Sequence, residues 1–179
     1  RCIWDRSYRE SRTPSAPAML LELLSHQNFA DMKYGLDPTF RFTVGRAVYK
    51  GMLKYLSNRY RVPYVVQPLP VGSMGVRFTE NGKARISWTA TEDHLEPTAV
   101  PDGYILQTRI DNGGFDSGRI TEHSKDADGV FCTEVEIKPG HIYSFWVTAF
   151  NEGGRRFPSE TISIGMPRGN ISEKQVLIG

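Results

Sequence analysis

Apolar and polar residues alternate along this chain in two different rhythms. Near the start, Met19-Leu20-Leu21-Glu22-Leu23-Leu24 holds a single charge between Pro17 and the polar cluster Ser25-His26-Gln27-Asn28. A short apolar run bounded by a proline and a polar turn predicts a buried strand. An ionised carboxylate stranded in such a run costs several kcal/mol unless it is paired, hydrated or bound to metal. Glu22 therefore marks either a working carboxylate or the solvated side of an edge strand or strand end. Beyond the turn the period changes to three and four: Phe40, Val44, Ala47, Val48, Gly51, Met52, Tyr55 and Leu56 predict a helix from Asp37 to Leu56. Asp37 serves as N-cap and Pro38 as first helical residue. Arg41, Arg46, Lys50 and Lys54 fall largely between the apolar positions, as in an amphipathic helix packed on a larger body.

Helical periodicity stops after Asn58. Pro63, Pro68, Pro70, Gly72 and Gly75 punctuate a stretch that reads as a proline-rich connector over 61–72. From Gly75 the chain runs in short alternating segments: Gly75 to Phe78, Ala84 to Thr89, Tyr104 to Ile110, Val130 to Ile137, Tyr143 to Phe150 and Thr161 to Ile164. Asn-Gly, Pro-Asp-Gly, Asn-Gly-Gly, Pro-Gly and Glu-Gly-Gly turns separate them. About seven short strands in this span predict an antiparallel β-sandwich. The fold class is thus mainly β, a sandwich over 73–167 preceded by a partial α/β segment, one strand plus an amphipathic helix, over 1–60. Residues 168–179 form a tail or the start of a following domain.

Composition changes this picture little. With 22 Lys and Arg against 20 Asp and Glu, a formal charge of +2 gives no general attraction to nucleic acid or to an acidic membrane. The longest apolar runs fall far short of the roughly 20 residues that span a bilayer. The opening Arg1-Cys2-Ile3-Trp4-Asp5-Arg6 has neither an initiator Met nor a targeting segment, and reads as a piece cut from a longer polypeptide. Cys2 and Cys132 fall in different halves, which argues against a disulfide framework, and neither a CxxC pair nor a zinc knuckle is present. Glu92, Asp93, Glu96 and Asp102 gather in one loop without the ordered alternation of a calcium loop, so a solvated loop is the better reading. Asn170-Ile171-Ser172 is a formal glycosylation sequon in the tail.

The second half resembles a fibronectin type III domain. The residues that carry the resemblance are Ile137-Lys138-Pro139-Gly140-His141-Ile142-Tyr143, then Val147-Thr148-Ala149-Phe150-Asn151-Glu152-Gly153-Gly154 and Ser159. In that family the residue matching Tyr143 forms a tyrosine corner, its hydroxyl tied to nearby backbone and its ring in the core. Trp88 matches the core tryptophan of an early strand, and Tyr104 the aromatic that begins the following one. Burial at period two in a sandwich accounts for all three.

The first half, about residues 6–58, is similar to the end of a zinc-dependent N-acetylmuramoyl-L-alanine amidase catalytic domain. The carriers are Pro17-Ala18-Met19-Leu20-Leu21-Glu22-Leu23, Ser25-His26-Gln27-Asn28, Asp31 and the helix from Asp37 to Leu56. Leu24 and His26 depart from that family's usual phenylalanine and serine-asparagine pattern around the turn. The resemblance implies a general base and acid at Glu22, acting beside a zinc-bound water. His26, four residues on, is a secondary candidate for lining that site. The family's zinc ligands are two histidines and a glutamate supplied earlier in its catalytic domain, and no histidine precedes His26 here, so the zinc would belong to a parent protein. His94, His123 and His141 have no ligand spacing and read as surface or turn residues.

These readings point to a fragment of a secreted, periplasmic or surface bacterial enzyme acting on peptidoglycan or another polysaccharide, inactive by itself. Its neighbours would be other domains of the parent chain. One alternative is a non-catalytic spacer or glycan-binding module of a polysaccharide-degrading enzyme such as a xanthan-type lyase. Another is a protein–protein adhesion module.

Overall fold

The computed structural model describes residues 8–155 and 157–166. Cys2, the sequon at Asn170 and the tail from 168 lie outside the described residues. The chain divides into two compact units, Arg1–Met52 and Leu53–Gly179.

Among the described residues three helices precede the sandwich, and the second and third start where capping side chains stand. Helix α1 spans Arg9–Arg12 and α2 spans Phe29–Leu36. The Asn28 side chain caps α2 by accepting from the Ala30 and Asp31 amides at 2.9 and 3.4 Å. Asp31 reaches back to accept from the Ser25 amide at 3.0 Å, which closes the turn ahead of the helix. Helix α3, Pro38–Tyr60, begins with Asp37 accepting from the Thr39 amide at 2.9 Å, the N-cap and first-turn proline read from the sequence.

The strand expected at Met19–Leu24 is not formed. Residues 17–25 carry neither helix nor strand, and Met19, Leu20, Leu21 and Leu23 are exposed, Met19 by 73%. The reason is the backbone: a strand needs a neighbour for its N–H and C=O groups, and the described part of this unit contains no other strand.

Among the described residues of the second unit, nine strands form two antiparallel sheets. They are β1 Gly72–Phe78, β2 Lys83–Thr89, β3 Gly103–Ile110, β4 Arg119–Ile120, β5 Ser124–Lys125, β6 Val130–Glu136, β7 Ile142–Asn151, β8 Gly154–Arg155 and β9 Ile162–Gly165. One sheet has the order β1-β2-β6-β5; the other runs β4-β3-β7-β8, with β9 also paired to β7. The longest pairing joins β3 to β7, from Gly103 opposite Phe150 to Ile110 opposite Tyr143.

Period-two patterning sets the core. On β2, Ala84, Ile86 and Trp88 point inward and are fully buried, while the residues between them are half-buried. Tyr143, Phe145, Val147 and Ala149 do the same from β7, and Tyr104 and Leu106 from β3. Each large side chain so buried contributes roughly 1.5–3 kcal/mol. Gly103 is fixed by its cross-strand partner, since a Cβ there would sit 2.7 Å from the Phe150 ring. The stretch read as a connector has no helix or strand from 63 to 71, yet Val66 and Pro68 are fully buried and Val71 nearly so.

Candidate functional site

Glu22 and His26 are both exposed, Glu22 in the irregular stretch after Pro17 and His26 in a turn closed by the Asn28 amide donating to the Ser25 carbonyl at 3.0 Å. Among the described residues no group of three or more His, Cys, Asp or Glu is placed to hold a metal ion. The described side chains therefore do not fit the zinc centre that the amidase resemblance implies. The three later histidines have separate surroundings: His94 faces Glu92 at 3.5 Å, His123 Nδ1 meets the Thr121 carbonyl at 3.0 Å, and His141 Nδ1 meets Asp111 at 2.7 Å. The acidic loop turns its carboxylates to internal use. Asp93 accepts from the Leu95 amide, Asp102 from the Glu152 amide, and Glu96 from the hydroxyls of Tyr64 and Thr98.

The three aromatics singled out in the sequence are structural in their surroundings. Tyr143 is 5% exposed, and its hydroxyl accepts from the Lys138 amide at 3.0 Å. Trp88 stacks on Phe131 of the neighbouring strand at 6.2 Å and meets Tyr104 of the opposite sheet edge-on at 5.3 Å. Burial raises the Tyr104 hydroxyl's pKa, and the nearby Trp88 indole N–H opposes that shift. The indole nitrogen is buried without an aligned hydrogen-bond partner, so this is a weak polar contact rather than a formed bond.

Two further constellations carry little sequence signal, because their members are far apart in the chain. Arg85, Glu122, His123, Ser124, Cys132, Thr133 and Glu134 line an open depression of about 350 Å³. Cys132 Sγ lies 3.0 Å from Ser124 Oγ and 3.0 Å from Arg85 Nη2. The Ser124 contact, then Arg85, lowers the thiol's pKa against the opposing effect of burial. Ser124 stands opposite Cys132 on β5 and Ser87 stands opposite it on β2, so only strand register reveals the group. On the other sheet, Phe115 stacks on Trp146 at 3.6 Å and 10°, with the Arg109 guanidinium 5.1 Å from the Phe115 ring centre. Arg109 also donates to Ser144 at 3.2 Å. Asp116 pins the loop that carries Phe115 by accepting from the Thr108 and Gly118 amides.

A filled two-sheet core, a tyrosine corner, and aromatics committed to packing define a β-sandwich module. Residues 70–165, more than half of the chain, match the sequence profile of the fibronectin type III domain. The chain belongs to the fibronectin type III family. No curated protein matches it in sequence. Among solved structures it is similar to the fourth FNIII domain of a human protein, at 16% identity over 62% of this chain and 88% of that one, with a TM-score of 0.44. It is also similar to the twitchin kinase region of C. elegans, at 22% identity over 60% of this chain and 18% of that one, TM-score 0.43. Chicken CNTN1 domains FN1-FN3 match at 21% identity over 56% of this chain and 31% of that one, TM-score 0.43. The chain thus spans less than a third of the twitchin and CNTN1 structures.

Proposed function

We propose that this chain is a non-catalytic fibronectin type III module joined to the closing segment of an amidase-like hydrolase, a cell-wall or polysaccharide-acting enzyme of the bacterial exterior. The observation that carries the reading is the state of residues 8–52. None of them is buried, while Leu20, Leu21, Leu23, Phe29, Tyr34 and Leu36 are exposed large apolar side chains. A segment with that much uncovered apolar surface is not a self-sufficient fold; it fits the edge of a larger body. The order of its parts, with Glu22 ahead of a capped turn and a final helix, supports an amidase-like body. Within that reading Glu22 is the candidate proton-transferring carboxylate, and the metal set belongs to residues other than those described.

The test is amide release from peptidoglycan by the intact parent protein beside its Glu22→Gln variant. Activity in the parent and its loss by two orders of magnitude or more in the variant is the expected result. Equal activity in both, or none in either with zinc bound, removes the amidase reading. The family assignment of residues 70–165 would stand in either case.

A further inference from the structure

The turn Asn151-Glu152-Gly153-Gly154, which joins β7 to β8, does more than reverse the chain. The Asn151 side chain is 7% exposed and its amide group donates to three carbonyls: Val66 at 2.9 Å, Thr98 at 3.1 Å and Val100 at 3.2 Å. Its Oδ1 accepts from the Gly153 amide at 2.9 Å, which fixes the orientation of the side-chain amide. Two hydrogens serving three acceptors implies one shared bond, and every acceptor is main-chain.

The same segment is held by other hands. The Val66 amide donates to Thr98 Oγ1 at 3.1 Å, and the Tyr64 hydroxyl donates to Glu96 at 2.9 Å. Gly153 meets it backbone to backbone: a Cβ at Gly153 would sit 2.5 Å from the Val65 carbonyl oxygen, closer than real contacts allow. Residues 64–67 therefore lie in a slot that only a glycine at 153 leaves open. The helix end just ahead is also closed. Val62 N–H returns to the Ser57 carbonyl at 3.2 Å, with Arg61 left-handed at φ +54°, and Ser57 Oγ donates to the Val62 carbonyl at 2.6 Å.

We propose that residues 64–67 form a strap locked to the sandwich by the Asn151–Gly153 turn, so that the module's cooperative unit begins ahead of its first strand and leaves no slack there. A proline-rich connector of this length, free in solution, would be a semi-rigid spacer. Locked, it is part of the sandwich. This goes beyond the functional reading above and does not depend on which enzyme precedes the module.

Amide exchange followed by NMR on the whole chain tests it, with the Val66 amide as reporter and β2 and β7 amides as the core reference. In the unmodified chain Val66 exchanges at least roughly a hundredfold slower than a free peptide. Asn151→Asp keeps the shape but turns an oxygen on the three carbonyls, and Gly153→Ala fills the slot. Either variant lowers Val66 protection by roughly tenfold or more, whether or not the core loosens with it. Thr98→Val, which removes only the Val66 acceptor and a donor to Glu96, lowers it by about fivefold and serves if the turn variants do not fold. Exchange of Val66 at the free-peptide rate in the unmodified chain, or unchanged protection in the variants, overturns the proposal.

Discussion

The two units of this chain contain similar apolar side chains and use them in opposite ways. In Leu53–Gly179, Trp88, Phe145, Ile86 and Leu106 are buried to 1% exposure or less. In Arg1–Met52, Met19 is 73% exposed, Phe29 79% and Leu36 77%. Hydrophobicity is equal in kind; what differs is the availability of a partner surface. The sandwich supplies its own second layer from within 95 or so residues, as two-layer folds do. The first unit has side-chain caps at the starts of α2 and α3 and no second layer among its described residues, so its local structure forms while its apolar side chains stay uncovered. Local hydrogen bonding is enough to define a helix end, whereas burial requires a body.

This contrast can be broken at both ends. The largest effect belongs to the core: Trp88→Ala leaves a cavity under both sheets and lowers the sandwich's stability by about 3–5 kcal/mol in denaturant unfolding. A loss under about 1 kcal/mol would mean that the two sheets do not pack as described. Next, Tyr143→Phe strips the acceptor from the Lys138 amide and keeps the ring. It costs about 1–1.5 kcal/mol in the same assay, with the slope against denaturant unchanged.

The Cys132 thiol gives a smaller, chemical readout. Its alkylation rate rises with pH at a midpoint below that of an ordinary thiol, and Ser124→Ala and Arg85→Ala each move the midpoint upward. The linkage has a definite sign. A thiol whose folded pKa is lowered adds stability that is present above the unfolded thiol pKa and is lost as pH falls through the folded one. Arg61→Gly removes the Cβ from a backbone held at φ +54° and stabilises by a few tenths to about 1 kcal/mol, the smallest positive effect here. Last, Leu21→Ser and Leu23→Ser leave the stability of the sandwich unchanged within about 0.5 kcal/mol, since both leucines are exposed. A clear loss from either would mean that these leucines are covered rather than exposed.

Much of the sandwich was legible because its signals are local. Alternation along Ala84-Arg85-Ile86-Ser87-Trp88 specifies one inward face, and Asn-Gly and Pro-Gly turns mark where strands end. The tyrosine corner came through the family resemblance of residues 137–143, which implied a hydroxyl tied to nearby backbone; the structure supplies the Lys138 amide as its partner. The Glu22 run misled for the converse reason. An apolar run encodes a preference for burial, but strand formation depends on a neighbour that Met19–Leu24 lacks among the described residues. The connector misled in the other direction: Pro63, Pro68 and Pro70 do exclude helix and strand, yet exclusion from regular structure is not freedom, and Val66 and Pro68 are buried. The Cys132 and Trp146 groups were out of reach, because Arg85 lies 47 residues from Cys132 in sequence and meets it only through strand register.

The sequence by itself determined the things that depend on neighbours in the chain: the helix start at Asp37, strand faces, turns, and the family to which residues 70–165 belong. Tertiary structure alone decided which apolar residues are covered, that residues 64–67 are held by a turn 85 residues away, and that Cys132 shares a depression with Arg85 and Ser124. Caps and periodicity act over a few bonds and can be read along the chain. Burial and long-range hydrogen bonding depend on which surfaces meet, and a linear pattern does not specify that.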